Sequence, residues 1–230
     1  MPIVSFVRVE IWSDVVCPWC YIGKRRFEKA LSNLRAKGVN DTIEVVFRAY
    51  QLDPTAPVGS PTPVVDAYAK KFGGRERAEQ ILNHVTSVAA GDEITFNMDV
   101  AVRANTVQAH RALHWALTIA DGAGTTAQGD LKERLLAAYF THGKDVGDVD
   151  VIAQCATDCG LDGAALREWL DTDDGKDAVI ADIEAAMSRE ITGVPAFVVN
   201  DQFLIPGAQD VDVFVNVLER ILEKSRAAQQ

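Results

Sequence analysis

Alternating apolar and polar positions predict two strands near the start of the chain, with a helix between them. The alternation covers residues 6–12 and again residues 42–48. Between them, apolar residues such as Phe27 and Leu31 recur at helical spacing among Lys and Arg residues, which predicts a helix from about residue 22. A strand, a helix and a second strand in this order predict a βαβ unit whose strands run parallel.

A proline-rich connection over residues 53–63 ends this unit. It holds four of the eight prolines of the chain and cannot continue as a helix. Beyond it, apolar residues recur with a helical period as far as about residue 190. This pattern predicts a series of helices at residues 64–72, 75–89, 106–120, 131–141, 149–159, 164–171 and 176–190.

Strand-like alternation returns at residues 195–199 and 202–205, joined by a turn at Asn200-Asp201, and a last amphipathic helix is predicted at residues 211–224. The whole order predicts an α/β fold, β-α-β followed by β-β-α, interrupted by a large all-helical insertion. We therefore predict a discontinuous domain of residues 1–63 and 191–230, and an inserted helical domain of residues 64–190.

Cys17 and Cys20 lie where the first predicted strand passes into the first predicted helix, with two residues between them. Unpaired backbone N–H groups and the helix dipole at such a position favour the thiolate of the first cysteine. Pro18 falls at the first helical position, where its missing N–H group costs nothing. The pattern predicts a redox dithiol in which Cys17, nearer to solvent, attacks a disulfide and Cys20 resolves the mixed disulfide. The alternative is a pair of inert buried thiols.

The charge balance excludes several classes of partner. The chain has 23 Lys and Arg residues against 33 Asp and Glu residues, a net charge of −10, whereas nucleic acids and anionic membranes attract a basic surface. No apolar run approaches the ~20 residues that span a bilayer, and residues 1–6 lack the basic and apolar segments of a secretory signal. We therefore expect a cytoplasmic protein without a nucleic-acid or membrane partner. In that compartment its four cysteines favour chemistry or metal binding over structural disulfides.

Several motifs in combination resemble one known family. They are SDVVCPWC at residues 13–20, Asn105-Thr106 with Ala109-His110-Arg111, ITGVP at residues 191–195 and PGAQ at residues 206–209. With these motifs the chain resembles the DsbA-like thioredoxin-fold oxidoreductases, and among them the FrnE-type group. That group is related to 2-hydroxychromene-2-carboxylate isomerases and kappa-class glutathione transferases. The resemblance implies a thioredoxin fold with a helical insertion.

The resemblance also implies roles for residues around the dithiol. Pro195 would be a cis proline facing Cys17, and the backbone N–H and C=O groups of Val194 would pair with an extended substrate segment. The alternative is a trans proline at a strand start. Pro18 and Trp19 would also contact the substrate. Because Trp19 carries no positive charge, we expect it to stabilise the thiolate less than a histidine would, and we expect a more reducing potential than that of periplasmic DsbA-type oxidants.

The leading functional hypothesis is a thiol–disulfide oxidoreductase that reduces, forms or exchanges disulfides in a protein or a small-molecule thiol substrate. It would have no tightly bound cofactor, with glutathione or mycothiol as an electron partner; the net direction and the oligomeric state stay open. A second hypothesis is a glutathione- or mycothiol-dependent isomerase or transferase acting on aromatic or polyketide-like compounds. Cys20 argues against it, because a resolving cysteine would cleave a mixed disulfide with that thiol. A third is a non-catalytic redox sensor or holdase-like binding module.

Cys155 and Cys159 form a second pair, at i and i+4 on one predicted helix face. They are either small core residues or a second redox pair that exchanges with Cys17 and Cys20. A regular helix, however, does not hold such a pair in good disulfide geometry. A metal site of all four cysteines is a further alternative, but we predict no metal, because a cysteine pair with a proline at a helix start suits redox chemistry better.

His110 and His114 also share a helix face, beside Arg111. In one interpretation they are structural residues whose polar ring atoms bond to neighbours. In the other, which the resemblance raises, this helix lines a cleft over Cys17 and His110 contacts a small substrate. Asp14 is expected to bond within the turn before the dithiol or to influence the titration of its thiols.

Overall fold

The computed structural model describes residues 6–119 and 124–227. In chain order, the described elements are β1 (Phe6–Ser13), α1 (Pro18–Ala36), β2 (Thr42–Ala49), β3 (Thr62–Pro63), α2 (Val64–Phe72), α3 (Arg75–Gly91), β4 (Val102–Arg103), α4 (Val107–Thr118), α5 (Gly124–Phe140), α6 (Val149–Asp158), α7 (Gly163–Leu170), α8 (Lys176–Ser188), β5 (Ala196–Val199), β6 (Phe203–Pro206) and α9 (Val211–Ala227). Within these ranges, no helix is long and apolar enough to cross a membrane.

A four-stranded mixed sheet has the strand order β2-β1-β5-β6. β1 and β2 run parallel, whereas β1 with β5 and β5 with β6 are antiparallel. The predicted βαβ unit, the predicted hairpin and the α/β order with a helical insertion are therefore confirmed. Asn200 and Asp201 form the hairpin turn with φ values of 49° and 57°, a left-handed conformation that Asn and Asp adopt more readily than other side chains do.

β2 lies at one edge of the sheet, and side chains from the helical region bond to its backbone. Gln128 of α5 accepts a hydrogen bond from the N–H group of Phe47 at 2.8 Å and donates to its carbonyl oxygen at 2.9 Å. Asp182 of α8 accepts from the N–H group of Ala49 at 2.9 Å. Because an open strand edge tends to pair with other chains, these bonds both block the edge and join the helical region to the sheet.

The described residues form separate hydrophobic cores on the sheet and among the helices. One core packs α1 and α9 against the sheet, where the ring centroids of Phe27, Phe197 and Phe214 lie 4.7 to 5.2 Å apart. Another core fills the helical region and includes Val15 and Tyr21 from the first segment of the chain. Because this helical core takes in residues before the insertion, the division into two domains stays a prediction.

Two elements differ from the pattern-based expectation. α5 begins at Gly124, whereas a start at residue 131 was predicted. Gly and Thr residues in its first turns have low helix propensity, and tertiary bonds such as those of Gln128 hold these turns in place. The proline-rich connection contains β3, which pairs with β4 over two residues, too few to show a sequence pattern. Residue 120 of a predicted helix, and residues 1–5 and 228–230 of the predicted discontinuous domain, lie outside the described residues.

Candidate redox site

Cys17 and Cys20 lie at the start of α1. Cys17 is the N-cap residue, with an extended backbone, and Pro18 is the first residue of the helix. The backbone N–H groups of Cys20 and Tyr21 donate to the carbonyl oxygen of Cys17 at 3.1 and 3.3 Å. Both cysteines are free thiols, so the structure describes the reduced form of the dithiol.

Cys17 is less exposed than its position at a helix start predicts. Its exposure is 3%, against 2% for Cys20, so the expectation that Cys17 lies nearer to solvent is wrong. Val194 and Tyr68 of α2 lie close to Cys17 and help to cover it. Burial raises the pKa of Tyr68 to about 12, and the charge of Cys17 adds to the effect. Trp19 is the exposed residue of the motif, at 36%.

Pro195 and Val194 face the dithiol from the other end of the insertion. The Val194–Pro195 peptide bond is cis, as the resemblance implied, and the carbonyl oxygen of Val194 lies 3.7 Å from the Sγ atom of Cys17. Gly23 of α1 makes this approach possible, because a Cβ atom there would lie 2.9 Å from Pro195 Cγ and 3.4 Å from Ala208 Cβ. The structure therefore brings three predicted residues together at the start of α1.

Asp14, in the turn before the dithiol, is fully buried. Its carboxylate accepts hydrogen bonds from the N–H groups of Val15 and Leu52, each at 2.8 Å. The Nε2 atom of His110 lies 3.2 Å from the carboxylate and 3.0 Å from the carbonyl oxygen of Tyr50, and since both partners are acceptors, Nε2 carries the proton. His110 is 3% exposed. It therefore orients Asp14, and its contact with a substrate stays a prediction.

A buried lysine of the helical region, Lys132 of α5, acts on the dithiol. Burial, together with a hydrogen bond to Cys17, raises the pKa of Cys20 well above its ordinary value, and the positive charge of Lys132 opposes this rise. Burial lowers the pKa of Lys132 to about 8 against the attraction of Cys20 and Asp14. The side chain is 1% exposed. Its Nζ atom lies 3.4 Å from the carbonyl oxygen of Ser13.

Sequence reasoning missed Lys132, although its position in the pattern holds a signal. Leu131, Leu135 and Tyr139 lie on the buried side of α5, and Gln128 and Lys132 are buried on the same helix. Lysine is almost never fully buried unless it is paired. Polar residues at core-facing positions of a predicted helix therefore indicate either an ion pair or a functional group.

Cys155 and Cys159 are also free thiols. Burial raises the pKa of Cys155 to about 11 and also raises the pKa of Cys159. The thiol of Cys159 donates to the carbonyl oxygen of Ala156 at 3.2 Å. Because the thiolate is the reactive form, these shifts slow any exchange at this pair, and a second redox pair stays a prediction. Among residues 6–119 and 124–227, no three His, Cys, Asp or Glu side chains are grouped so that they could hold a metal ion.

Comparison with known proteins gives matches over most of the chain. The family model described as DSBA-like thioredoxin domain matches residues 8–219. The crystal structure of a probable DsbA oxidoreductase from Streptomyces coelicolor aligns with a TM-score of 0.82 at 31% identity, over 93% of this chain and 89% of that chain. The uncharacterized protein YwbO of Bacillus subtilis is 29% identical over 212 residues, which are 90% of this chain and 94% of the relative.

Two further solved structures share the fold at lower identity. A 2-hydroxychromene-2-carboxylate isomerase aligns with a TM-score of 0.66 at 15% identity, over 96% of this chain and 98% of that chain. The cytosolic disulfide reductase DsbM of Pseudomonas aeruginosa, in its structure with glutathione, aligns with a TM-score of 0.58 at 20% identity, over 94% and 99%. At these identities the similarity shows the fold alone.

Proposed function

The chain belongs to the family of DsbA-like thioredoxin domains, and we propose that it is a thiol–disulfide oxidoreductase whose Cys17–Cys20 dithiol reduces, forms or exchanges disulfides. The Cys17 thiolate attacks one sulfur of a substrate disulfide, which forms a mixed disulfide and releases the other sulfur as a thiolate. Cys20 then loses its proton and attacks Cys17. The Cys17–Cys20 bond forms, the second substrate sulfur leaves, and two electrons have passed to the substrate. The same steps in reverse oxidise a dithiol.

The observation that carries this proposal is the position of Cys17 at the N-terminus of α1, 3.7 Å from the carbonyl oxygen of Val194. The positive end of the helix dipole favours a thiolate at this position. The thiol of Cys20 is hydrogen-bonded to that of Cys17, so the two sulfurs are close enough for one to attack the other. This combination supplies a nucleophile, a resolving thiol and a backbone edge for the substrate.

For substrate binding, we propose that an extended segment pairs with the backbone of Val194 and places its disulfide against Cys17. Trp19, at 36% exposure, offers an aromatic surface next to the nucleophile. Pro18 is buried at the helix start, so its contact with a substrate stays a prediction. The substrate class that fits is a protein or small molecule with an accessible disulfide.

The proposed electron partner is a low-molecular-weight thiol, glutathione or mycothiol. The structure of DsbM with glutathione supports this proposal, and the description of DsbM as cytosolic supports a cytoplasmic location. Because the ring of Trp19 carries no charge, we propose a more reducing potential than that of periplasmic oxidants. Equilibration of the dithiol in glutathione buffers measures this potential, and a strongly oxidising value would reject it.

Reduction of insulin disulfides with dithiothreitol as the electron donor tests the proposed function. The wild type and Cys159→Ser are expected to accelerate precipitation of the insulin B chain equally, while Cys17→Ser remains at the background rate. Cys159 provides the matched control, because it is a free and only partly buried thiol outside the site. Equal rates for the wild type and Cys17→Ser would reject the proposal.

The thiol-dependent isomerase or transferase has less support. Such an enzyme must keep a thiol cofactor bound in an active form. Here Cys20 lies against Cys17 and would cleave any mixed disulfide between Cys17 and that cofactor. The fold similarity to an isomerase, at 15% identity, does not carry an activity to this chain.

A further inference from the structure

Lys132 has few contacts for a buried cation. Its side chain is 1% exposed, and its ammonium group donates to the carbonyl oxygen of Ser13 at 3.4 Å, a long distance for a charged donor. The ring of Phe47 on β2 lies 5.6 Å from Nζ. The hydroxyl group of Ser13 is buried without a hydrogen-bond partner. A lysine held in this way is not stabilised by a close ion pair, as buried charges usually are.

Cys20 is the group that interacts most strongly with Lys132. The charged and titratable groups that act on the lysine are, in decreasing order, Cys20, Asp14, Cys17 and Lys24. Lys24 of α1 is itself paired with Glu28 at 2.7 Å and with Glu133 at 2.6 Å. The carboxylate of Asp14 already accepts two backbone hydrogen bonds and one from His110. The resolving thiol is therefore the neighbour whose protonation Lys132 influences most.

Building on the proposed function, we propose that Lys132 is the proton acceptor of Cys20 in the resolving step. The neutral amine takes the proton of the Cys20 thiol and becomes an ammonium group. The Cys20 thiolate attacks the Sγ atom of Cys17, the Cys17–Cys20 bond forms, and the bond from Cys17 to the substrate sulfur breaks. The substrate sulfur leaves as a thiolate with the electron pair of that bond. In the oxidising direction the ammonium group returns the proton to Cys20.

The burial of both partners explains why this transfer needs a side chain. Cys20 is 2% exposed, so bulk water does not reach its proton easily. Burial also makes the thiolate of Cys20 costly, and a cation formed beside it offsets that cost. The lowered pKa of Lys132, about 8, gives the amine access to both protonation states near neutral pH. A residue of the helical insertion thereby controls the second chemical step.

Stopped-flow reaction with 5,5′-dithiobis(2-nitrobenzoate) tests the proposal, because it separates the two attacks. Cys17 releases the first thionitrobenzoate anion and leaves a mixed disulfide; Cys20 releases the second anion. The protein carries Cys155→Ala and Cys159→Ala, so the colour comes from the dithiol. For Lys132→Met and Lys132→Gln we expect the second phase at pH 7 to slow by about tenfold or more, with the first phase changed by less than about twofold.

The pH profile separates proton transfer from a structural role. In the wild type we expect the second-phase rate to rise with pH and level off above about pH 8. In both variants the rise is expected to continue to higher pH, since Cys20 has lost its acceptor. Lys24→Met is the matched control, because Lys24 is also buried at 4% exposure but is bound to Glu133. We expect it to keep the wild-type profile.

Three outcomes would overturn the inference: an unchanged second phase in both Lys132 variants, an equal slowing of both phases, or a loss in Lys24→Met as large as in Lys132→Met. Release of only one thionitrobenzoate per wild-type molecule would instead reject the proposed function itself. Thermal unfolding of each variant shows whether it is folded under the conditions of the kinetic measurement.

Discussion

The Sγ atom of Cys17 lies 3.7 Å from the carbonyl oxygen of Val194, although 177 positions separate the two residues in the chain. The helical region lies between them in sequence, so packing of α1 against the segment before β5 sets this distance. The nucleophile and the backbone that would present the substrate are therefore adjusted together. A substitution that moves Pro195 away from α1 is expected to affect exchange even where it leaves both cysteines in place.

Gly23→Ala tests this packing. The new Cβ atom would lie 2.9 Å from Pro195 Cγ, so the contact must open. We expect a loss of about 1–2 kcal/mol in the free energy of unfolding, in spite of the better helix propensity of alanine, together with slower insulin reduction. Urea unfolding measures the first effect. Gly129→Ala, in α5 with no atom within 4 Å of its Cβ position, is the control and is expected to gain stability. Equal effects of the two substitutions would refute the close-approach argument.

Arg111→Lys tests a polar connection between α4 and the residues that follow α7. The buried guanidinium group donates to the carbonyl oxygens of Leu170, Thr172 and Asp174 at 3.0, 2.7 and 2.8 Å. A lysine cannot reproduce this fork, so buried carbonyl groups lose their partners, and we expect a loss of about 2 kcal/mol or more. Arg167→Lys, at an exposed ion pair, is expected to change stability by less than about 0.5 kcal/mol. Similar urea midpoints for both variants would contradict this prediction.

Lys132→Met is expected to change stability in a pH-dependent way. Burial lowers the pKa of Lys132 from 10.5 to about 8, so the folded state releases this proton before the unfolded state does. The cost of the buried charge is therefore fully present below pH 8 and is relieved as the pH rises toward 10.5. At pH 7 the reduced variant is expected to be more stable than the wild type by up to about 3 kcal/mol, and the difference should shrink by pH 10. Urea unfolding at both pH values checks the sign; a difference independent of pH would show that Lys132 does not titrate as described.

Replacement of Cys155 and Cys159 by alanine separates packing from redox chemistry. Burial raises the pKa of both thiols, so we expect each replacement to leave the rate of insulin reduction unchanged. Cys155 is 5% exposed, and its loss is expected to cost about 1 kcal/mol through the small cavity that remains. A shift in the reduction potential of the double variant, measured in glutathione buffers, would instead support a second redox pair.

Much of the fold follows from local patterns. The strands of the sheet are short alternating runs, and α2 begins and ends at the predicted residues, because a proline-rich segment precedes it and glycine follows it. The start of α5 does not follow from such a pattern. Its first turns depend on Gln128, which bonds to Phe47 across 81 positions of the chain, and residues with low helix propensity do not reveal this contact.

The candidate site divides in the same way. Cys17, Cys20 and the proline at N1 form a local motif at a strand-to-helix junction, and its chemistry is visible in the sequence. The burial of Cys17 and the role of Lys132 depend on how the helical region packs over α1. No local pattern gives the distance between α5 and the dithiol, so a lysine within a predicted amphipathic helix is first assigned to the solvent face.

The mixed disulfide of Cys20→Ser tests the central claim most directly. The reduced variant is incubated with glutathione disulfide, quenched with acid and mapped by peptide mass spectrometry. We predict one glutathione on Cys17 in Cys20→Ser, none at that position in Cys17→Ser, and a Cys17–Cys20 disulfide in the wild type. Equal labelling of Cys17→Ser and Cys20→Ser, or an adduct confined to Cys155 or Cys159, would contradict the assignment of Cys17 as the nucleophile and Cys20 as the resolving thiol.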